Sequence, residues 1–324
     1  MKSEAPSGAR AVRTEWAQWD LTTESWQAAQ RVTVEEYRRD GKLASSEIRF
    51  GDGPVSRSGN SHDEAGVLTE SWFQNGDGPA GRVLCSYDGL GRLIHQVQRA
   101  PDGTERVAEQ RVYAADGSHT CILHLPKMEG ATAVYCPIEG VDYYCSAPGT
   151  TTVTTVYSKE GHSSEVLLKD ADGAVLRRFV LTRDEFGRLV KDELLLGALP
   201  LAPDVPLFGA GATLMTSEYK YDEQGRRVEV VRRMFGVSED RETVSYDDRG
   251  NRTETTTEEQ QREANMNEGN LEYGAATVNR RQSRMAYRYD ARGNWLERVT
   301  SQRYGENPDF TPCSIERREI AYYE

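Results

Sequence analysis

The sequence predicts an all-β fold, an elongated antiparallel meander of hairpins that forms a curled sheet or a partial barrel or shell. Three observations carry this expectation. Glycine recurs at fixed intervals: Gly41, Gly53, Gly66, Gly78, Gly91 and Gly103 step by 12 or 13 residues. Acidic or polar residues usually precede these glycines, and together they make the tight corners that antiparallel hairpins need. The segments between them, such as Arg82-Val83-Leu84-Cys85-Ser86-Tyr87 and Thr151-Thr152-Val153-Thr154-Thr155-Val156-Tyr157, are rich in β-branched and aromatic residues and lack helical periodicity.

Composition fits a polar β protein. The 324 residues include 29 Gly and only 37% hydrophobic residues, yet 7 Phe, 5 Trp and 16 Tyr are too many aromatics for a disordered chain. The formal net charge of −12 argues against a nucleic-acid reader, which needs a basic face. No apolar stretch reaches the ~18 residues of a membrane helix, so no membrane insertion is expected. The N-terminal residues show no export signal. The expected location is periplasmic or extracellular if a signal peptide has been removed, and cytoplasmic otherwise.

Taken in order, residues 1–35, with Trp16, Trp19 and Trp26, are expected to cap the first edge of the array, since repeat proteins need atypical ends. Residues 36–324 then form one β domain. Two insertions interrupt it. The segment near 195–217 is apolar and holds three prolines, which a central strand rejects. The segment near 257–284 reads as a short exposed helix or an excursion between hairpins.

Within the domain the turn motif Tyr-Asp-x-x-Gly-Arg/Asn repeats. Its clearest copies are Tyr87, Asp88, Gly91, Arg92; Tyr221, Asp222, Gly225, Arg226; Tyr246, Asp247, Gly250, Asn251; and Tyr289, Asp290, Gly293, Asn294. Partial copies carry Tyr37 and Gly41, Tyr113 and Gly117, Tyr157 and Gly161, Gly173, and Gly187 with Arg188. A period near 25 residues equals two strands, so the tyrosines recur about every 10 Å along one edge of the sheet. Each is expected to pack on the residue two positions after a motif glycine, such as Leu43, Leu93, Leu189 or Trp295. Across the first clear turn, Tyr87 is expected to face Leu93, Cys85 to face His95, and Val83 to face Val97.

Iterated at hairpin spacing, this motif resembles the YD repeat of the RHS family, which includes bacterial polymorphic toxins, Tc-toxin cocoon subunits and teneurins. The resemblance covers about residues 35–324. It implies a spiralling β-sheet and an exported bacterial protein. It does not extend to self-cleavage, because the family's C-terminal DPxG-type motif is absent: Asn307-Pro308-Asp309 is the nearest text.

Chemistry-bearing residues are scattered. The five histidines lie in different repeats, and His119 and His124, five apart, fall on opposite faces of a strand. Cysteines 85, 121, 136, 145 and 313 lack metal-ligand spacing. With hairpins around Glu129-Gly130 and Glu139-Gly140, Cys136 would face Leu123 and Tyr143, leaving Cys121 diagonal to it. Turn aspartates are explained by backbone bonding. No catalytic, metal or cofactor residue is therefore assigned, and the motif residues are expected to be structural. The function expected is a non-enzymatic structural or interaction protein that offers a curved β surface to a protein or peptide. The alternatives are a carbohydrate-binding module using exposed Tyr and Trp faces, and a remnant of an RHS-type encapsulating shell. The partner is thus a protein or a glycan.

Overall fold

The computed structural model describes residues 6, 8–125, 133–135, 144–146, 149–197, 211–234, 237–267 and 270–324. The strands are β1 (Ala9–Asp20), β2 (Ser25–Trp26), β3 (Arg31–Tyr37), β4 (Leu43–Phe50), β5 (Val55–His62) and β6 (Leu68–Asn75). There follow β7 (Gly81–Tyr87), β8 (Leu93–Arg99), β9 (Glu105–Tyr113), β10 (His119–His124), β11 (Ala133–Tyr135) and β12 (Tyr144–Ser146). The third group is β13 (Thr152–Tyr157), β14 (Ser163–Lys169), β15 (Val175–Arg183), β16 (Leu189–Leu196), β17 (Thr213–Tyr221) and β18 (Arg227–Met234). The last are β19 (Ser238–Tyr246), β20 (Arg252–Asn267), β21 (Asn270–Tyr289), β22 (Trp295–Tyr304) and β23 (Thr311–Tyr322).

Twenty of these strands form one closed antiparallel barrel. Each wall strand pairs with its neighbours in chain order, and the ring closes because β1 pairs with β3 on one side and with β23 on the other. β2 folds back on β1, and β11 pairs with β12 in a separate small sheet. Closure removes the unpaired edges that a sheet of this length would otherwise expose. At ~4.8 Å between strands and the usual ~40° tilt, the perimeter is on the order of 125 Å.

The two faces of the wall differ. Following pairs from strand to strand, the face that carries Val153, Val166, Leu168, Phe179, Leu194, Tyr219 and Val230 holds the main apolar core and is the inner one. The opposite, outer face is charged and laced by cross-strand ion pairs. Examples are Arg57–Glu47 at 2.9 Å, Arg82–Glu70 at 3.1 Å, Lys220–Glu229 at 2.7 Å, Arg284–Glu254 at 3.1 Å and Arg317–Glu297 at 3.2 Å.

Three expectations are corrected. The N-terminal residues do not cap an edge: Val12 is 1% exposed and pairs with Ile320 and Glu35, so β1 is the stave that closes the ring. The described part of 257–284 is strand and not helix, and its middle is an excursion in the form of a paired ribbon. It belongs to β20 and β21, which pair with each other from Glu254↔Arg284 to Asn267↔Asn270 and outrun their other neighbours at Gln261 and Arg281. Thr255–Thr257 in β20 and Thr277 and Val278 in β21 suit this ribbon. In the region 195–217, Leu195–Leu196 and Thr213–Tyr221 are wall strand, while 198–210 lies outside the described residues.

Register is corrected as well. Tyr87 faces Leu93 as expected, but Ser86 faces His95, Cys85 faces Gln96 and Val83 faces Gln98. Ile94 is an extra residue, a β-bulge that shifts the register by one beyond it. The same bulge follows Tyr37, Arg183, Tyr221, Tyr246 and Tyr289, with Ala44, Val190, Val228, Thr253 and Leu296 as the extra residues.

Candidate interaction surface

Antiparallel alternation sorts the connections into two mouths. One mouth carries the turns at Gly41, Gly66, Gly91, Gly117, Gly161, Gly187, Gly225, Gly250 and Gly293, and we call it the YD mouth. At all nine the glycine φ lies between +74° and +91°, a region that penalises residues with a Cβ. The Gly173 motif copy sits at the other mouth, because β14 runs away from the YD mouth and β15 returns.

Each full motif is a bonded unit. Asp88 Oδ1 accepts from the Leu90 and Arg92 N–H groups at 2.9 Å each, while its Oδ2 accepts from Arg92 Nε at 2.7 Å. Asp184 with Arg188 and Asp222 with Arg226 repeat this pattern. The clamped guanidinium then lies over the tyrosine of the following repeat: Arg92 over Tyr113 at 4.2 Å, Arg188 over Tyr221 at 4.8 Å, Arg226 over Tyr246 at 4.7 Å.

The tyrosine hydroxyls complete the unit by donating to carbonyls beside the preceding turn. Tyr87 bonds Leu68 O at 2.6 Å, Tyr113 bonds Leu93 O at 3.0 Å, Tyr221 bonds Leu189 O at 2.7 Å, and Tyr246 bonds Arg227 O at 2.8 Å. Leu68, Leu93, Leu189 and Arg227 are each the residue next to a bulge, where ladder bonding is locally disrupted. The tyrosines thus meet the expected leucines, through their carbonyls.

Where Asn replaces Arg after the glycine, an arginine one position before the glycine supplies the cation. Arg249 lies over Tyr289 at 4.2 Å and Arg292 over Tyr322 at 3.9 Å, while Asn251 and Asn294 donate to those two hydroxyls at 2.8 Å. Tyr322 and Tyr323 carry the row across the seam: Tyr322 donates to Asp290, and Tyr323 donates to Tyr37 O. The motif is therefore a belt that binds each repeat to the next.

Polar clusters interrupt the inner wall. Tyr219 donates to Asp192 at 2.6 Å, with Asp192 and Ser217 both at 0% exposure, and burial followed by the Asp192 carboxylate raises the Tyr219 phenol above its ordinary range. Near β9 and β10, Arg111 pairs with Glu109 at 2.6 Å, and His119 stacks between Tyr113 and Tyr157 at 4.8 and 4.5 Å. Burial, then Arg111, depresses the His119 imidazole. Burial, then Glu109, pushes the Cys121 thiol up to about 12. A third cluster sets Arg298 on Glu316, and Arg318 3.5 Å from the Trp295 ring centre.

These placements bring no cysteine opposite a histidine among the described residues. Cys85 does not face His95, and Cys121 lies between Arg111 and Thr155. Leu123 lies between Glu109 and Val153, which excludes the expected pairing of Leu123 with Cys136. Cys136 itself lies outside the described residues. The register Tyr135↔Tyr144 matches the one expected for the Glu139-Gly140 turn. Among the described residues no group of three or more His, Cys, Asp or Glu side chains is arranged to hold a metal ion.

The far mouth is different in character. Large exposed apolar side chains gather there: Leu21, Phe50, Phe73, Met234, Val278 and Tyr304 lie on its connections, on strand ends beside them or on the ribbon. The YD mouth has Leu90, Phe186 and, at the end of β9, Val112, while Val107 lies near the far-mouth end of the same strand. The two longest connections, between His124 and Thr152 and between Leu196 and Thr213, also begin and end at the far mouth, as does the β20–β21 ribbon. Sequence reading missed this asymmetry because it depends on which turns share a rim; its one trace was the departure of these segments from the 12–13 step.

No protein-family model matches the chain, and no curated protein matches it. Among solved structures it is similar to a porin-like protein from Bacteroides uniformis, at 10% identity over 99% of this chain and 100% of that one, with a TM-score of 0.36. It is also similar to CghA with Sch210972, at 12% identity over 97% and 89% of the two chains, with a TM-score of 0.14. Among the described residues no helix is long and apolar enough to cross a membrane, which says nothing of strands.

Proposed function

We propose that the protein is a non-enzymatic interaction barrel of the YD/RHS repeat type, whose YD mouth is a structural belt and whose far mouth engages a protein partner. The observation that carries this reading is the gathering of exposed apolar side chains and long connections at one end of the ring. Loops held on a rigid scaffold are the usual place for recognition, and clustered exposed apolar residues mark contact surfaces. The repeated Asp, Gly, Arg and Tyr bonding supports the repeat assignment, since one local design serves successive turns.

The outer wall supports an aqueous setting. A membrane barrel presents an apolar band ~25 Å tall to lipid. Here the corresponding face carries Glu47, Arg57, Glu70, Arg82, Glu229, Glu254 and Arg284 in ion pairs. A charged, solvent-facing wall supports a setting in the cytoplasm, periplasm or extracellular medium.

Affinity capture from the source organism tests the proposal. A Phe50→Asp, Met234→Asp double variant should lose the captured protein, while Leu90→Asp, Phe186→Asp at the opposite mouth should retain it. Equal capture by both variants, or release only by the second, overturns the reading.

A further inference from the structure

The far mouth holds a cavity of about 430 Å³ between the β1–β2 corner and the connection from β22 to β23. Its lining combines ring surface with neutral and anionic hydrogen-bonding groups: Trp19, Tyr304, Gln18, Gln302, Asn307 and Asp309. We propose that this cavity is a carbohydrate subsite, which seats one or two hexopyranose rings. This goes beyond the docking role assigned to the mouth, which does not require it.

Four features point to this ligand. Trp19 is held by an edge contact with Trp26, with ring centres 4.9 Å apart and planes at 76°, so one indole braces the other. Tyr304 is 63% exposed, which leaves its ring open to a stacking partner. Its hydroxyl donates to Gln302 Oε1 at 2.9 Å, which orients that amide. Around these rings stand amides and a carboxylate, which suit hydroxyl groups that both donate and accept.

The surroundings are built rather than loose. Phe310 is gripped between Arg284 at 4.2 Å and Arg303 at 4.8 Å, anchoring the connection that carries Asn307 and Asp309. Asn307 Oδ1 accepts from the Asp309 N–H at 3.0 Å, which fixes the bend. Arg303 is engaged by Gln282 and Phe310, so the cavity's cation is committed to the scaffold, and Asp309 repels anionic ligands. An apolar ligand would strand the polar groups of the lining. A neutral polyhydroxylated ring satisfies both the aromatic and the polar walls.

The test is a titration followed by intrinsic tryptophan fluorescence and confirmed by calorimetry. The probes are methyl glucoside, methyl galactoside, N-acetylglucosamine, cellobiose, lactose and chitobiose, each to about 50 mM, because a small open site of this kind binds with Kd on the order of 1 mM. At least one sugar should saturate. Asp309→Ala and Tyr304→Ala, both at exposed positions, should weaken it about tenfold or more with unchanged melting temperature, and Trp19→Phe should abolish the fluorescence change while calorimetric binding persists. Absence of saturation for every probe, or binding unaffected by both Asp309→Ala and Tyr304→Ala, overturns the proposal. Neither result bears on protein capture, which the Phe50 and Met234 variant tests separately.

Discussion

Replacing Tyr221 by Phe removes one hydroxyl from the belt and leaves the rest of the side chain in place. The lost bond is the 2.7 Å contact with Leu189 O, and Leu189 is only 3% exposed. The carbonyl beside the bulge then lacks its partner in a place water reaches poorly. The ring persists, so its packing and the Arg188 stack at 4.8 Å should survive. The cost is that of an unmade bond to a shielded acceptor, about 1–2 kcal/mol. Urea denaturation should show a lower midpoint with an unchanged m-value, and for a chain of this size the melting temperature should fall by roughly 2–4 °C. Tyr304→Phe is the control, because its 2.9 Å bond to Gln302 is exposed and should matter by less than about 0.5 kcal/mol. If Tyr221→Phe proves as stable as that control, the hydroxyl is not a latch and the belt account fails.

Other perturbations follow from the same geometry. Gly225→Ala should cost about 1 kcal/mol by chemical denaturation, since φ is +77° and the added Cβ meets only the far end of Arg188 at 3.9 Å, so the penalty is conformational. Phe179→Ala, at a fully buried inner-wall position, should cost about 3–5 kcal/mol, and a loss under 1 kcal/mol would contradict an inner core there. Native alkylation of Cys121 should be very slow at pH 8 and speed up as pH approaches 12, because a raised pKa keeps the thiol protonated; rapid reaction at pH 8 would refute its burial. Acid should loosen the belt. The Arg92 N–H holds the Asp88 carboxyl below its usual range, and the Tyr322 hydroxyl does the same for Asp290. A depressed folded pKa gives stability that is present above about pH 4 and lost as pH falls through the lowered value, so thermal melts should decline in that window rather than near neutrality.

The hairpin ladder was legible because each corner needs φ > 0 and a local acceptor, and Gly and Asp announce both. The pairing of Tyr87 with Leu93 followed directly. What lay beyond the turn did not, since a bulge adds one residue without changing its type: Ile94 reads as an ordinary strand residue, yet it moves Cys85 from His95 to Gln96. Closure was equally hidden. Val12, Thr14 and Trp16 alternate like any strand, and only the pairing of residues some 300 positions apart turns a cap into a stave. The tyrosine row was foreseen as packing, but the exchange of Arg92 for the Arg249 and Asn251 pair shows its chemical purpose only when the cation is seen above the next ring. The cavity at the far mouth joins Trp19 to Asp309, and no short-range pattern links such distant positions.

The seam between β1 and β23 is where the closed ring differs from a curled sheet. Residue-resolved hydrogen exchange measures it directly. In a closed barrel the segments Val12–Trp16 and Ile315–Arg317 are paired on both flanks, and their amides should exchange as slowly as those of the adjacent β3 and β22. In an open sheet β1 and β23 would be edges, and every second amide would point to water and exchange within seconds. Uniform protection through both strands is the result the closed fold predicts, and alternating fast exchange along either would contradict it.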